Sequence, residues 1–192
     1  MDVTGSALSY TQVRATIDRL AGQLSALGVE RGDVIALVLP NGPDMAIAFL
    51  ASTLCATAAP LNPAFGVEEF RYYLEDLRVK VLISRGPAAS KAREALNPDA
   101  VCLELNGEGA DLTLAQSDRA LSWSEPMSAG VDDIALVLHT SGTTAKPKIV
   151  PLTHGNLATS AHNIVKSLDL TNADRCLNVM PLFHIHGLVA SL

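Results

Sequence analysis

The sequence predicts an α/β protein with a mostly parallel sheet and flanking helices. Short continuous apolar runs, such as residues 34–39, lack the alternation of a sheet with one solvated face. Such runs are typical of strands that are covered on both faces. Between them lie stretches with apolar residues at every third or fourth position, which is the helical period. Strands that alternate with helices of this length imply βαβ crossovers and therefore parallel pairing.

The predicted elements of the first hundred residues follow this alternation. A helix begins near Thr11 and carries an apolar stripe to Leu27, and Gly28 follows where a left-handed cap fits. After the strand at 34–39, the turn at 41–44 opens a helix that reaches about Cys55. The remaining predicted elements of this half are a helix with a stripe at 70–77, a strand at 79–83, a helix at 88–96 and a strand at 101–105.

The pattern weakens between residues 106 and 130, where Gly, Ser, Asp and Pro interrupt it. A meandering loop with a short edge strand is predicted there. Periodicity resumes with a strand at 134–139, followed by a Ser/Thr/Gly loop and a strand at 149–152. Thr153 is the predicted cap of a helix with an apolar stripe from Leu157 to Leu168. A last strand is predicted near residues 176–180.

The charge balance excludes one class of function. The chain has 14 Lys and Arg residues against 20 Asp and Glu residues, which gives a net charge of −6. It has no basic run that could neutralise phosphates along a duplex, so nucleic-acid binding is not expected. The longest apolar stretch, residues 45–59, falls short of the ~18 residues of a membrane span.

Three widely spaced cysteines, Cys55, Cys102 and Cys176, form no CxxC pair. They are interpreted as reduced thiols that act as small buried hydrophobes, not as disulfide or zinc ligands. The N-terminus shows neither the basic nor the apolar region of a signal peptide. The expected location is cytoplasmic. A peroxisomal location stays open, because a C-terminal signal would lie beyond the chain.

Residues 140–148 form the most informative segment of the chain. Four hydroxyls, one glycine and two lysines follow an apolar strand directly: Thr140, Ser141, Gly142, Thr143, Thr144, Lys146 and Lys148. Short donors and ammonium groups at this density suit a polyphosphate. Pro147 stands where a Walker A loop needs its second glycine, and no glycine pattern of a dinucleotide loop is present. A solvated loop whose hydroxyls only bond turn backbone fits the composition equally well.

The run from Leu136 to Asn156 resembles the phosphate-loop signature of the AMP-forming adenylating enzymes, which include acyl- and aryl-CoA synthetases. Residues 181–187, Pro-Leu-Phe-His-Ile-His-Gly, are similar to the family motif that lines the acyl pocket. Earlier segments agree in order and spacing: residues 8–11, 28–33, 39–41, 59–63 and 68–69. The Phe-His-x-His-Gly string most resembles the branch that contains oxalate–CoA ligases and malonyl-CoA synthetases.

This resemblance implies part of the N-terminal domain of an adenylate-forming enzyme. The implied reaction joins a small carboxylic acid to AMP with release of pyrophosphate, and coenzyme A then displaces AMP. ATP, Mg²⁺ and coenzyme A are the implied cofactor and substrates. The residues that the resemblance implies to bind the ATP phosphates are Thr140, Ser141, Gly142, Thr143, Thr144, Lys146 and Lys148. Those implied to form the acyl pocket are Phe183, His184 and Gly187, and no residue is assigned a catalytic role.

The chain departs from the family pattern at two positions, where Ala145 and Ile149 replace the usual glycines. A β-branched Ile149 removes conformational freedom that a phosphate loop uses to open and close. A stiffer loop with weakened ATP turnover is therefore expected. This departure favours a second function, in which the chain is a non-catalytic phosphate-binding or assembly fragment.

His184 and His186 would share one face of a strand and could grip a metal there, but no third ligand with suitable spacing is evident. No metal site is therefore expected. His186 is interpreted as a packing histidine, and Trp123 as local packing and not a base-stacking platform.

The resemblance also implies that residues 1–192 are an incomplete N-terminal domain. Residues 1–130 approximate a first α/β portion, and residues 131–192 approximate the phosphate loop and the start of the acyl-pocket portion. The motifs for Mg²⁺ and ribose and the C-terminal domain are expected beyond residue 192. The chain alone is expected to be inactive and to expose apolar surface, which the missing part of the enzyme or a self-association partner would cover.

Overall fold

An eight-stranded mixed sheet organises the computed structural model, which describes residues 7–117, 119–126, 128–140 and 147–190. The helices are α1 Tyr10–Ala26, α2 Pro43–Cys55, α3 Val67–Asp76, α4 Ala88–Glu94 and α5 His154–Ser167. The strands are β1 Val34–Val38, β2 Thr57–Pro60, β3 Val81–Ser84, β4 Val101–Asn106, β5 Thr113–Gln116, β6 Arg119–Ala120, β7 Ile134–Thr140 and β8 Lys148–Thr153. A 3₁₀ turn at Gly109–Asp111 and a π-helical turn at His186–Ala190 complete the described elements.

The strand order is β6-β5-β4-β3-β1-β2-β7-β8. The five central strands, from β4 to β7 in that order, pair in parallel, whereas β5, β6 and β8 pair antiparallel at the two edges. The prediction of a mostly parallel sheet with flanking helices is confirmed. Two short edge strands, β5 and β6, occupy the weakly patterned region where one was predicted.

Side-chain hydrogen bonds cap the N-terminal ends of two predicted helices, α1 and α5. The Ser9 hydroxyl accepts a hydrogen bond from the Gln12 amide, and the Gln12 side chain accepts one from the Ser9 amide. Gly28 follows α1 with a φ of 74°, a conformation that glycine adopts without strain. Thr153 and Asn156 form the same reciprocal capping box at the start of α5.

The central strand β2 was not predicted. It lies between β1 and β7 and is buried throughout, although it consists of only a threonine, two alanines and a proline. Its alanines favour a helix on propensity alone, so the sequence gives no signal for a strand here. The pairing of β2 with β1 and β7 overrides that preference.

The strand predicted near residues 176–180 is wrong, because this segment has no regular secondary structure. Within it, the Asn178 side-chain oxygen accepts a hydrogen bond from the Met180 amide at 2.9 Å. Such local bonds from asparagine side chains compete with the pairing that a strand requires.

Two apolar clusters cover the two faces of the sheet. One joins α1 and α2 to alternate strand residues, and it includes Leu20, Phe49 and Cys55. The other lies under α3 and α4 and is centred on the fully buried Phe70. Burial raises the pKa of the Cys55 thiol to about 12, so Cys55 is a neutral core residue, as predicted. The same interpretation is wrong for Cys176, which is exposed.

The end of the apolar stripe of α5 faces solvent in this chain, whereas Leu157 at its start packs against the core. Val165 and Leu168 are 46% and 66% exposed, and Leu177 and Val179, which follow the helix, are still more exposed. The predicted exposure of apolar surface is therefore confirmed for this part of the chain. None of the helices in the described ranges has both the length and the hydropathy that a membrane crossing requires.

Candidate functional site

A cavity of about 680 Å³ opens at the carboxyl ends of β2 and β7. Open α/β sheets bind their ligands at this edge, and the volume lies in the usual range of small-molecule sites. Its wall combines the end of β2 and the residues after it, Tyr73 of α3, the end of β7, the edge strand β8, the first turns of α5, and the segment that leads into the π-helical turn. The lining residues are Pro60, Leu61, Asn62, Phe65, Tyr73, Leu138, His139, Thr140, Val150, Leu152, Asn156, Leu157, Ser160, Phe183, His184, Ile185 and Val189.

One part of the cavity wall is Thr140, at the end of the β7–β8 hairpin. Thr140 and the adjacent Lys148, which does not itself line the cavity, are here called the phosphate rim. These two residues are cross-strand partners, and the Thr140 hydroxyl lies 3.5 Å from the Lys148 carbonyl oxygen. That contact is at the long limit of a hydrogen bond, so the hydroxyl keeps its capacity to bind a ligand. Lys148 is exposed. The other predicted phosphate ligands lie outside the described residues: Ser141, Gly142, Thr143, Thr144 and Lys146.

Another part of the cavity wall, here called the acid rim, is formed by Phe183 and His184. Their rings lie 5.3 Å apart, and His184 is exposed at the cavity surface. An imidazole in this position can hydrogen-bond a carboxylate. The structure thus brings two of the three predicted acyl-pocket residues into the wall that also contains Thr140.

Gly187, the third of them, lies beneath the acid rim and does not line the cavity. A Cβ atom on Gly187 would lie 2.3 Å from the Pro181 carbonyl oxygen and 3.0 Å from the Met180 carbonyl oxygen. No L side chain fits at that distance without a backbone shift. The structure therefore supports a positioning role for this glycine instead of ligand contact.

His184 and His186 do not share the face of a strand, because the chain turns at His184 and enters the π-helical turn at His186. His186 is exposed and does not belong to the cavity wall, and its interpretation as a packing histidine stays a prediction. Across the described ranges, no group of three His, Cys, Asp or Glu side chains is placed to hold a metal ion.

The cavity wall also offers no carboxylate among its described residues. Mg²⁺ is bound in proteins through carboxylates together with substrate phosphates and water. The described part of this chain therefore does not supply the acidic ligand that a magnesium–ATP complex would use.

His139 is a site residue that the sequence analysis missed. Its side chain is only 7% exposed, and its Nε2 atom lies 2.9 Å from the Asp76 carboxylate at the end of α3. The imidazole meets the Tyr73 ring edge-on at 4.6 Å, and Tyr73 stacks on Phe65 at 4.9 Å. These contacts tie the end of β7, next to Thr140, to α3. The signal in the sequence was a single titratable side chain next to the end of an otherwise apolar strand.

Tyr73 enters the cavity wall as a neutral phenol. Burial raises its pKa, and the neighbouring Glu69 carboxylate adds to the shift. Its hydroxyl therefore stays protonated at neutral pH and adds no negative charge to a site that faces phosphates.

Trp123 packs outside the cavity, against α1. Its indole Nε1 atom lies 3.5 Å from the Asp18 carbonyl oxygen, and a Cβ on Gly22 would collide with the indole. The interpretation of Trp123 as local packing is consistent with these contacts.

Comparison with known proteins decides the family. The AMP-binding enzyme family matches residues 2–192, which is nearly the whole chain. The chain belongs to this family. An oxalate–CoA ligase of Arabidopsis thaliana is 43% identical over 96% of the chain. An oxalate–CoA ligase of Saccharomyces cerevisiae is 35% identical over 85% of the chain. The chain spans about 37% and 35% of these two proteins, so it corresponds to only part of their length.

Solved structures of adenylate-forming enzymes share the fold. Apo MatB from Rhodopseudomonas palustris superposes with a TM-score of 0.81 at 27% identity, covering 98% of this chain and 38% of that one. The o-succinylbenzoate CoA synthetase MenE from Bacillus subtilis, in complex with an acyl-adenylate intermediate, gives a TM-score of 0.79 at 29% identity over 97% of this chain and 47% of that one. The predicted fold, part of the N-terminal domain of an adenylate-forming enzyme, is confirmed.

Proposed function

We propose that this AMP-binding enzyme segment belongs to a complete protein that activates a carboxylic acid with ATP and transfers the acyl group to coenzyme A. One observation supports the proposal: a single cavity is lined both by Thr140, where the predicted phosphate loop begins, and by Phe183 and His184 of the predicted acid-binding segment. An acid and a triphosphate must meet in one site for their oxygen and phosphorus atoms to react.

In the first half-reaction, a carboxylate oxygen attacks the α-phosphorus of ATP, and the bond to pyrophosphate breaks. The leaving group gains negative charge, so donors fixed at its position lower the barrier. The proposed donors are the Thr140 hydroxyl, the Lys148 ammonium group and the loop residues between them: Ser141, Gly142, Thr143, Thr144 and Lys146. ATP enters with Mg²⁺, whose charge would offset that of the phosphates.

The acid rim would hold the attacking carboxylate. The His184 imidazole supports its orientation by a hydrogen bond, and the Phe183 ring beside it keeps water from the acyl-adenylate. Oxalate is the first acid to test, because two relatives at 43% and 35% identity are oxalate–CoA ligases. Malonate is the second, from the resemblance of residues 181–187.

The proposed domain organisation follows the cavity. Residues 131–192 contribute both rims together with β7, β8 and α5, and residues 1–130 contribute the other six described strands and the helices that cover them. The exposed apolar residues at the end of α5 and after it, such as Val165, Leu168 and Leu177, would pack against the remainder of the enzyme or a second copy. We place the protein in the cytoplasm or a peroxisome, because widely spaced thiols suit a reducing compartment.

Acid-dependent exchange of labelled pyrophosphate into ATP tests this function. The complete enzyme is expected to exchange pyrophosphate with oxalate or malonate present and to form the corresponding CoA thioester when coenzyme A is added. The 192-residue chain alone is expected to show no exchange. Absence of exchange by the complete enzyme with every acid of a broad panel would refute the ligase function.

A non-catalytic phosphate-binding or assembly role is the second candidate, and Ile149 is the observation that favours it. This residue lies in β8, pairs with His139 and is 42% exposed. A β-branched side chain stabilises the strand that follows the phosphate loop. Turnover would require this loop to move, so a stiffer strand favours a non-catalytic role.

Replacement of Ile149 by glycine in the complete enzyme is expected to raise the adenylation rate several-fold. Glycine weakens the strand by up to about 1 kcal/mol, which frees the end of the hairpin, and the half-exposed side chain leaves no core cavity. Pre-steady-state pyrophosphate release measures the effect. Ile134→Gly, at the other end of the β7–β8 hairpin and 41% exposed, is the control for general loosening, because Ile134 does not line the cavity. An unchanged rate in Ile149→Gly would reject the idea that loop stiffness limits turnover.

A further inference from the structure

A hydrogen bond from a distant part of the chain holds the backbone next to the acid rim. Asn41 lies in the turn between β1 and α2, and its side-chain oxygen accepts a hydrogen bond of 2.8 Å from the Leu182 amide. Leu182 is 4% exposed and packs in the cluster under α1 and α2. The two residues that follow it, Phe183 and His184, form the acid rim. Asn41 thus fixes the backbone at the point where this rim begins.

On both sides of Leu182, residues 178–188 are braced by hydrogen bonds among themselves. The Asn178 side chain donates to the Gly187 carbonyl oxygen at 2.9 Å and accepts from the Met180 amide. The His184 amide donates to the Pro181 carbonyl oxygen at 3.1 Å, and the Leu188 amide donates to the His184 carbonyl oxygen at 3.2 Å. The segment is therefore a stiff unit, so a displacement at Leu182 is passed on to His184 instead of being absorbed between them.

The phosphate rim has separate supports. Thr140 and Lys148 are held by the β7–β8 pairing, and the neighbouring His139 is held by Asp76 of α3. Asn41 takes no part in either contact. The two rims of the cavity are thus positioned by different parts of the fold, the acid rim from the end of β1 and the phosphate rim from α3 and β8.

We propose that Asn41 is a positioning residue for the acid substrate, acting through the Leu182 amide on His184. This inference rests on the proposed ligase function and adds a residue to it that does not touch the cavity. Loss of the Asn41 oxygen would let the acid rim shift as a unit while the phosphate rim keeps its geometry. The effect would therefore fall on the acid and not on ATP.

Kinetics of Asn41→Ala in the complete enzyme test this separation. The KM for the acid is expected to rise about tenfold, the order expected for one lost hydrogen bond, with the KM for ATP within about twofold of the parent. Asp76→Asn weakens the support of the phosphate rim and is expected to give the opposite pattern, a higher KM for ATP.

Asn97→Ala is the matched control, because the Asn97 side-chain oxygen likewise accepts a hydrogen bond from a backbone amide, that of Asp99, in a turn remote from the cavity. It is expected to change neither constant.

Amide hydrogen exchange tests the contact without any activity. In Asn41→Ala, the Leu182 amide is expected to exchange at least about tenfold faster, and the melting temperature is expected to match that of Asn97→Ala. Asn41→Asp keeps the acceptor oxygen and is expected to restore the protection.

The results separate the two proposals. Unchanged protection at Leu182, or a KM for ATP that rises as much as that for the acid, would overturn the role of Asn41. A parent enzyme that is inactive on every acid would overturn the ligase function, and hydrogen exchange would then decide alone whether Asn41 holds the segment.

Discussion

Lys148→Ala in the complete enzyme is expected to slow adenylation by about 100-fold, the order found when one fixed donor to a developing negative charge is removed. Lys148 stands at the start of β8, opposite Thr140, and its side chain is exposed at the phosphate rim. Its ammonium group is proposed to offset the charge of the departing pyrophosphate. Because the side chain is not buried, stability is expected to change little. Acid-dependent pyrophosphate exchange and the melting temperature measure the two effects.

The control for Lys148 is Lys166→Ala, which removes an exposed lysine from the last turn of α5. This variant loses the same charge away from the cavity and is expected to keep the parent rate. Lys148→Arg keeps the charge but changes the donor geometry, so an intermediate rate is expected. A rate for Lys148→Ala within about twofold of Lys166→Ala would contradict the assignment of the phosphate rim.

Gly187→Ala is expected to produce the second large effect, on both stability and acid binding. The added Cβ would stand 2.3 Å from the Pro181 carbonyl oxygen, so the backbone must move. That shift would strain the hydrogen bond between the Asn178 side chain and the Gly187 carbonyl oxygen. Overpacking of this kind costs about 1–3 kcal/mol of unfolding free energy. The KM for the acid is expected to rise by more than about tenfold, which corresponds to about 1.4 kcal/mol.

Gly32→Ala is the matched control for this substitution. Its added Cβ would meet no heavy atom within 4 Å, and its φ lies outside the positive range that disfavours alanine. Denaturant unfolding and acid-dependent kinetics should therefore separate the two variants. If Gly187→Ala unfolds at the same denaturant concentration as Gly32→Ala and binds the acid equally well, the close packing under the acid rim is not needed for function.

Elements with their own start and stop signals were predictable from the sequence. The helices α1 and α5 combine an apolar stripe with a capping box, and both begin within one or two residues of the predicted position. The strand β2 was missed because Ala58 and Ala59 give no strand signal, and only its two neighbours in the sheet make it extended. The strand predicted at 176–180 failed for the opposite reason, since its apolar residues have no pairing partner among the described strands.

The candidate site was predictable as two motifs but not as one cavity. Thr140 and His184 were both proposed as ligand contacts, and the structure places them in one wall. Composition and spacing do not show that these two residues come together. The parallel pairing of β2 with β7 and the hydrogen bond between Asn41 and Leu182 bring them to the same cavity. His139 escaped detection for the same reason. Its partner Asp76 is 63 residues away in sequence and reaches it only through the fold.

A crystal structure of the complete enzyme with Mg²⁺, oxalate and α,β-methylene-ATP, whose carbon bridge blocks adenylation, tests the central claim most directly. The β- and γ-phosphates are expected against Thr140, Lys148 and the residues between them, and an oxalate carboxylate is expected within hydrogen-bond distance of the His184 imidazole. A triphosphate bound away from the end of the β7–β8 hairpin, or oxalate bound outside the cavity between the two rims, would contradict the account.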